Sequence, residues 1–197
     1  MSKNLLKNTR FKREIKFFFK KNNEILDIIL FGSSIKGKDK PNDIDLLIIY
    51  KTKKDLDTSY ELRKKLNKLG FNVSISDKTY KTLIDGNFKP VEEVFSEGYS
   101  LIYDKFIANG IGYFNLSLFK YNLKPLNKSQ RMRFYYSLYG RDKKGGIVKE
   151  FNLIKFSDTL LLCPTENMEK LKEFFESWKI ETINFPIMIP SRLKFII

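Results

Sequence analysis

Two aspartates flanking a single residue, Asp43 and Asp45, and a glycine–serine pair upstream, Gly32 and Ser33, are the residues whose types and spacing could do chemistry. An apolar run, Ile28, Ile29, Leu30 and Phe31, reads as a buried strand that stops at Gly32. A second strand is predicted from Asp43 through Ile49. Strand side chains alternate faces, so Asp43 and Asp45 share one face while Ile44 and Leu46 take the other. Two carboxylates side by side repel each other unless a cation lies between them, and magnesium takes oxygen ligands of this kind. Gly32 allows a ligand close to the backbone. Ser33 and Ser34 open a predicted short helix, whose free N–H groups and positive dipole end suit phosphate. Phosphate donors beside metal ligands are what transfer from a nucleoside triphosphate requires.

The stretch LFGSSIKGKDKPNDIDLLII resembles the DNA polymerase beta superfamily of nucleotidyltransferases, whose signature is Gly-Ser, a spacer, then Asp-x-Asp on a strand. Gly32, Ser33, Asp43 and Asp45 match it, and Lys36 and Gly37 meet the basic residue and glycine frequent between the two halves. The resemblance implies an α+β fold with a small mixed sheet, a nucleoside triphosphate as substrate, and two magnesium ions held by Asp43 and Asp45. It implies nucleotide contacts from Gly32, Ser33 and Ser34, with Lys36 helping. The family commonly adds a third carboxylate on the next strand, here predicted over Phe71–Ser76. The position that aligns with it is Ser74. The nearest acid, Asp77, has the opposite strand parity. It is either the third ligand and base, if the strand ends or bulges there, or the N-cap of the helix that follows.

Composition narrows the chemistry. The chain has 197 residues, no histidine and one cysteine, Cys163. Histidine catalysis and histidine metal sites are excluded, an intramolecular disulfide is impossible, and zinc lacks ligands. No apolar run approaches the roughly 20 residues of a membrane helix, and no secretory pattern opens the sequence, so a cytoplasmic location is expected. The 37 basic and 23 acidic residues give a net charge of +14, shared evenly between the halves. That balance suits an anionic partner, with nucleic acid as the default.

Periodicity supplies the elements that position these groups. A helix is predicted over residues 4–22, with Phe11, Ile15, Phe18 and Phe19 on one face and a basic face opposite that includes Lys3 and Lys21. A helix from Asp55 or Asp57 should run to Leu69 and stop at Gly70. Short helices are expected near Tyr80–Leu83 and Val91–Phe95, and a closing strand over residues 97–103. Together these give a core over residues 1–104, with helices expected on one side of its sheet.

Residues 105–197 are read as a separate, basic and aromatic α+β module for substrate binding or regulation. A helix is predicted from Asn127 to Tyr139, stopped by Gly140. Strands are predicted over Ile147–Lys155, Thr159–Cys163 and Ile183–Ile189, with a helix after Pro164. Residues 120–149 hold nine lysines and arginines against Asp142 alone. Arg131, Arg133, Arg141, Lys143 and Lys144 are the candidate nucleic-acid contacts, because cations among tyrosines grip phosphates and stack on unpaired bases. The expected acceptor is therefore a hydroxyl on RNA, most naturally a tRNA-like end. Two alternatives stand beside it. Small members of the superfamily act as antitoxins that nucleotidylate a partner toxin, which makes a protein partner an option. A non-catalytic nucleotide- or RNA-binding protein with a decayed site is the other.

Overall fold

The computed structural model describes residues 5–37, 43–141 and 145–196, with side chains through Leu193. It divides into two compact units, Met1–Ile111 and Gly112–Ile197. The first holds α1 (Thr9–Lys21), β1 (Ile25–Phe31), β2 (Ile44–Tyr50), α2 (Leu56–Lys68), β3 (Val73–Thr79), α3 (Tyr80–Ile84), α4 (Val91–Glu97), β4 (Tyr99–Ser100), β5 (Lys105–Phe106) and α5 (Ile107–Gly110). Its sheet runs β3-β2-β1-β4-β5, with β2 and β3 parallel and the other neighbours antiparallel. The unit extends past residue 104 because β5 pairs back onto β4.

Local chemistry sets the helix ends. Asn8 caps α1 by accepting from the Phe11 amide at 3.0 Å. The Asp55 side chain caps α2 through the amides of Asp57 and Thr58. Gly70, at φ +85°, closes α2 while the Phe71 amide reaches back to the Leu66 carbonyl, a Schellman stop that needs a residue free to take positive φ.

The sheet is covered on both faces. Phe11, Ile15 and Phe18 of α1 and Leu62 and Leu66 of α2 pack against Ile28, Leu30, Ile44, Leu46 and Ile48. On the opposite face Leu83, Phe88 and Val94 meet Ile29, Phe31, Leu47 and Ile49. The expectation of helices on one side alone is thus corrected. β1 and β2 read as near-continuous apolar runs because both faces are buried, as in the centre of a covered sheet.

The second unit contains β6 (Tyr113–Tyr121), α6 (Lys128–Tyr139), α7 (Gly146–Glu150), β7 (Ile154–Ser157), β8 (Leu160–Pro164), α8 (Met168–Ser177) and β9 (Thr182–Pro190). Its antiparallel sheet runs β7-β8-β6-β9. Phe134 and Leu138 of α6 and Leu171 and Phe175 of α8 pack on Phe119, Tyr121, Leu161 and Cys163. An N-terminal box caps α6, the Asn127 and Gln130 side chains each taking the other's backbone amide at 2.9 Å.

Two expectations fail here. The central strand β6 falls where the sequence predicts no strand. Its buried face carries Asn115 and Ser117, which bond Thr165 Oγ1 at 3.0 Å and Met168 Sδ at 3.1 Å, so polar residues hide the alternation. The strand predicted over Ile147–Lys155 begins as α7 instead. Gly145 and Gly146 enter it with φ of +96° and +76°, and Ile147 and Val148 pack against the core on a helical face.

Candidate functional site

β1 and β2 place the motif. Phe31 pairs with Asp45 across the ladder, so the chain turns at Gly32 directly over the Asp45 side chain. Gly32 sits at φ +75°, and a Cβ there would collide with the Asp45 carboxylate. The glycine is therefore required twice, by backbone conformation and by space. Gly32–Ser34 forms a single 3₁₀ turn rather than a helix of useful length, which removes the expected macrodipole and leaves local amides alone.

The two serines differ. Ser34 is buried and donates its hydroxyl to the Phe31 carbonyl at 3.3 Å, closing the turn on itself. The hydroxyl expected to meet the nucleotide thus makes a structural bond here. Ser33 is half-buried.

Asp45 lies within β2 and Asp43 immediately before it, exposed. Burial, then the charge of Asp43, then that of Glu93 hold the Asp45 carboxyl above its ordinary range. The ionised form is thus short of positive charge, a fit for a cation bound at Asp43 and Asp45.

Lys36 is paired with two carboxylates. Its ammonium lies 2.7 Å from Glu93 Oε1 and 2.8 Å from Glu97 Oε2, both on α4. Burial opposes its charge, but the hydrogen bonds it donates to Glu93 and Glu97 outweigh that and raise its pKa. Glu93 and Glu97 were missed from the sequence. Their i, i+4 spacing behind Pro90 was the available signal, since it puts two acids on one side of a short helix.

Asp77 stands apart. β3 continues unbroken to Thr79, and in register Ser74 lies beside Asp45 while Asp77 lies beside Ile48. Strand parity sends Asp77 to the α1/α2 face, away from Asp45. The Tyr50 hydroxyl lies 3.1 Å from Asp77 Oδ1 there, and burial pushes the carboxyl upward. The cap of α3 is Thr79. Asp77 is therefore neither the third carboxylate nor the cap. On the Asp45 face β3 offers Ser74, Ser76 and Lys78, with no acid.

The candidate nucleic-acid contacts also sort. Arg131 Nε donates to the carbonyls of Leu123 at 3.0 Å and Leu126 at 2.8 Å, clasping the loop before α6. Arg131 is itself exposed, so it has this structural role beside the contact expected of it. Arg133 is exposed, and the Arg141 guanidinium stands 5.6 Å from the ring of exposed Tyr136. Lys143 and Lys144, and Lys3 of the basic helix face, lie outside the described residues. Burial pushes the Cys163 thiol up to about 12, so it offers no thiolate near neutral pH. Among the described residues no helix is long and apolar enough to cross a membrane.

Comparison with known proteins bears on the first unit. Residues 13–103 match the family model of the polymerase beta nucleotidyltransferase domain. No curated protein matches the chain. Solved structures share part of it, among them the following three. A mutant of the toxin–antitoxin pair MntA–HpeT is 21% identical at a TM-score of 0.37, covering 46% of this chain and 71% of that one. A tri-AMPylated Shewanella oneidensis HEPN toxin in complex with MNT antitoxin is 20% identical at 0.33, covering 46% and 67%. A toxin–antitoxin with AMP-PNP is 24% identical at 0.38, covering 51% and 83%.

Proposed function

We propose that the polymerase beta nucleotidyltransferase domain formed by residues 13–103 moves a nucleoside monophosphate from a triphosphate to a hydroxyl on RNA, releasing pyrophosphate. The observation that carries this reading is the seat made by Gly32 over Asp45, where only a glycine leaves the carboxylate its place. Asp43 and Asp45 would hold magnesium. The ion would supply charge neutralisation for the phosphates and activate the attacking oxygen. The chain's own part is placement. The Gly32 turn brings backbone amides to the β- and γ-phosphates, and the Ser33 hydroxyl adds a donor. RNA as acceptor is supported by the +14 charge and by exposed Arg133, Tyr136 and Arg141.

One observation favours a second reading. Ser74 occupies the β3 position beside Asp45, so no carboxylate from that strand is present to take the acceptor's proton. A protein that binds nucleotide without turnover follows if nothing replaces it.

The test is transfer of label from each of the four α-labelled triphosphates, with magnesium, to tRNA, to protein and to small molecules. Label on RNA that disappears in the Asp43→Asn, Asp45→Asn double variant is the expected result. Label on protein alone would replace the RNA acceptor, and no label with nucleotide still bound would establish the second reading.

A further inference from the structure

We propose that Lys36 is a positioning residue, pinned between Glu93 and Glu97 so that the segment leaving the Gly32–Ser34 turn is tied to α4 and the turn is held over Asp45. The inference rests on the nucleotide site described above and assigns that site's rigidity to three residues outside it.

The turn has little to hold it. Its two backbone bonds, Ile35 N–H to the Gly32 carbonyl and Lys36 N–H to the Ser33 carbonyl, are both 3.3 Å long. The Ser34 hydroxyl adds a third of the same length. The Lys36 ion pairs are far shorter, at 2.7 and 2.8 Å, and the lysine side chain is only 18% exposed. α4 is a firm anchor, because Val94 is fully buried in the core that also contains Phe31, the residue just before the turn.

Charge makes the arrangement obligatory rather than incidental. Glu97 is 3% exposed, and its Oε1 has no partner among the described residues. A buried carboxylate with one oxygen unpaired tolerates its charge only beside a cation, and Lys36 supplies it. A phosphate could recruit Lys36 only by leaving that carboxylate uncompensated. The lysine in the signature therefore acts through the turn.

The experiment uses the full chain and mant-ATP with magnesium as the probe, alongside hydrogen exchange of the peptide spanning residues 31–37. In Lys36→Met, exchange in that peptide accelerates at least tenfold and the mant-ATP dissociation constant rises at least tenfold. Lys36→Arg restores both to within threefold. Glu97→Gln weakens mant-ATP in the same direction, and the Lys36→Met, Glu97→Gln double variant is no weaker than Lys36→Met alone, as for two residues of one device. Tighter mant-ATP in Glu97→Gln would overturn the proposal, because freeing Lys36 would then have served the phosphates directly. Unchanged exchange in both Lys36→Met and Glu97→Gln would also overturn it. Wild type that binds no mant-ATP, with the exchange changes still seen in the variants, would sink the nucleotide site and leave the Lys36 tie to α4 standing. If Lys36→Met fails to fold, Glu97→Gln carries the same measurements.

Discussion

At the scale of single residues, side-chain identity has to be separated from side-chain direction. Asp77 was the acid nearest the expected third position, yet strand parity and the Tyr50 hydroxyl put it on the other face of the sheet. Asp77→Asn is expected to keep nucleotide transfer within about threefold of wild type, against losses of roughly 10²-fold or more when a group that touches the reacting phosphates is removed. Initial rates under saturating triphosphate decide it, and a large loss would return Asp77 to the site. Asp27 gives a second case, with no bearing on catalysis. It is buried, with Oδ1 accepting from the Ser100 hydroxyl at 2.8 Å and the Ile28 amide at 2.7 Å, and burial holds its carboxyl above the ordinary range. The sign follows from linkage. An acid whose folded pKa is raised is more readily protonated in the fold, so its ionised form costs stability at neutral pH and that cost vanishes on acidification. Asp27→Asn should therefore melt higher than wild type at pH 7. The gap should narrow as pH falls through the raised pKa and close below the unfolded value of about 3.9. Thermal melts across that range check it, and a gap that widens with acid would refute the assignment.

At the scale of elements, the first unit was legible and the second only partly. β1, β2, α1 and α2 announce themselves through unbroken apolar runs, a 3.6-residue stripe and, for α2, the cap at Asp55 and the stop at Gly70, each local in sequence, whereas the Asn8 cap that starts α1 inside the predicted 4–22 span was not read. The pairing of Gly32 with Asp45 was legible as a motif, but why glycine is needed came only from the ladder register that sets Phe31 opposite Asp45. Lys36 was legible as a cation, but its pairing with Glu93 and Glu97 was not, because these partners sit on a helix far along the chain. β6 stayed hidden because Asn115 and Ser117 satisfy their polarity inside the core, which sequence pattern cannot foresee. The turn offers the sharpest element-scale test. Gly32→Ala adds a methyl where the Asp45 carboxylate lies and forces φ +75° on a residue with a Cβ, at a cost of about 1–3 kcal/mol. The variant is expected to remain folded by circular dichroism while its affinity for magnesium–triphosphate falls by about tenfold or more, since 1.4 kcal/mol is a factor of ten. Unaltered affinity would mean that the phosphates do not approach this turn.

At the scale of the whole molecule, charge is the dominant fact, and it is distributed against the local chemistry. A chain of net charge +14 gathers Asp43, Asp45 and Glu93 at the candidate site, with Lys36 paired to Glu93 and Glu97 beside it. That contrast suits a site for a cation and its bound phosphates inside a surface that attracts polyanions. Residues that make the surface basic are not interchangeable, however. Arg131 donates to the carbonyls of Leu123 and Leu126, so Arg131→Ala should lower thermal stability in a way that Arg133→Ala and Arg141→Ala do not. Arg133 and Arg141 are exposed, and Arg141 stands against the Tyr136 ring. If they grip the phosphate backbone of a single strand, log K should fall with log salt by roughly 0.7 for each contact. Arg133→Ala with Arg141→Ala should then flatten the slope by about 1.4. Tyr136→Ala should weaken binding by about 1–3 kcal/mol with the slope unchanged, because stacking on a base releases no counterions. Fluorescence anisotropy with a labelled oligoribonucleotide, titrated at several salt concentrations, reads slope and intercept separately. A slope indifferent to Arg133 and Arg141 would move the contact to another basic surface, for which the exposed Lys20 and Lys21 at the end of α1 are the next variants to measure.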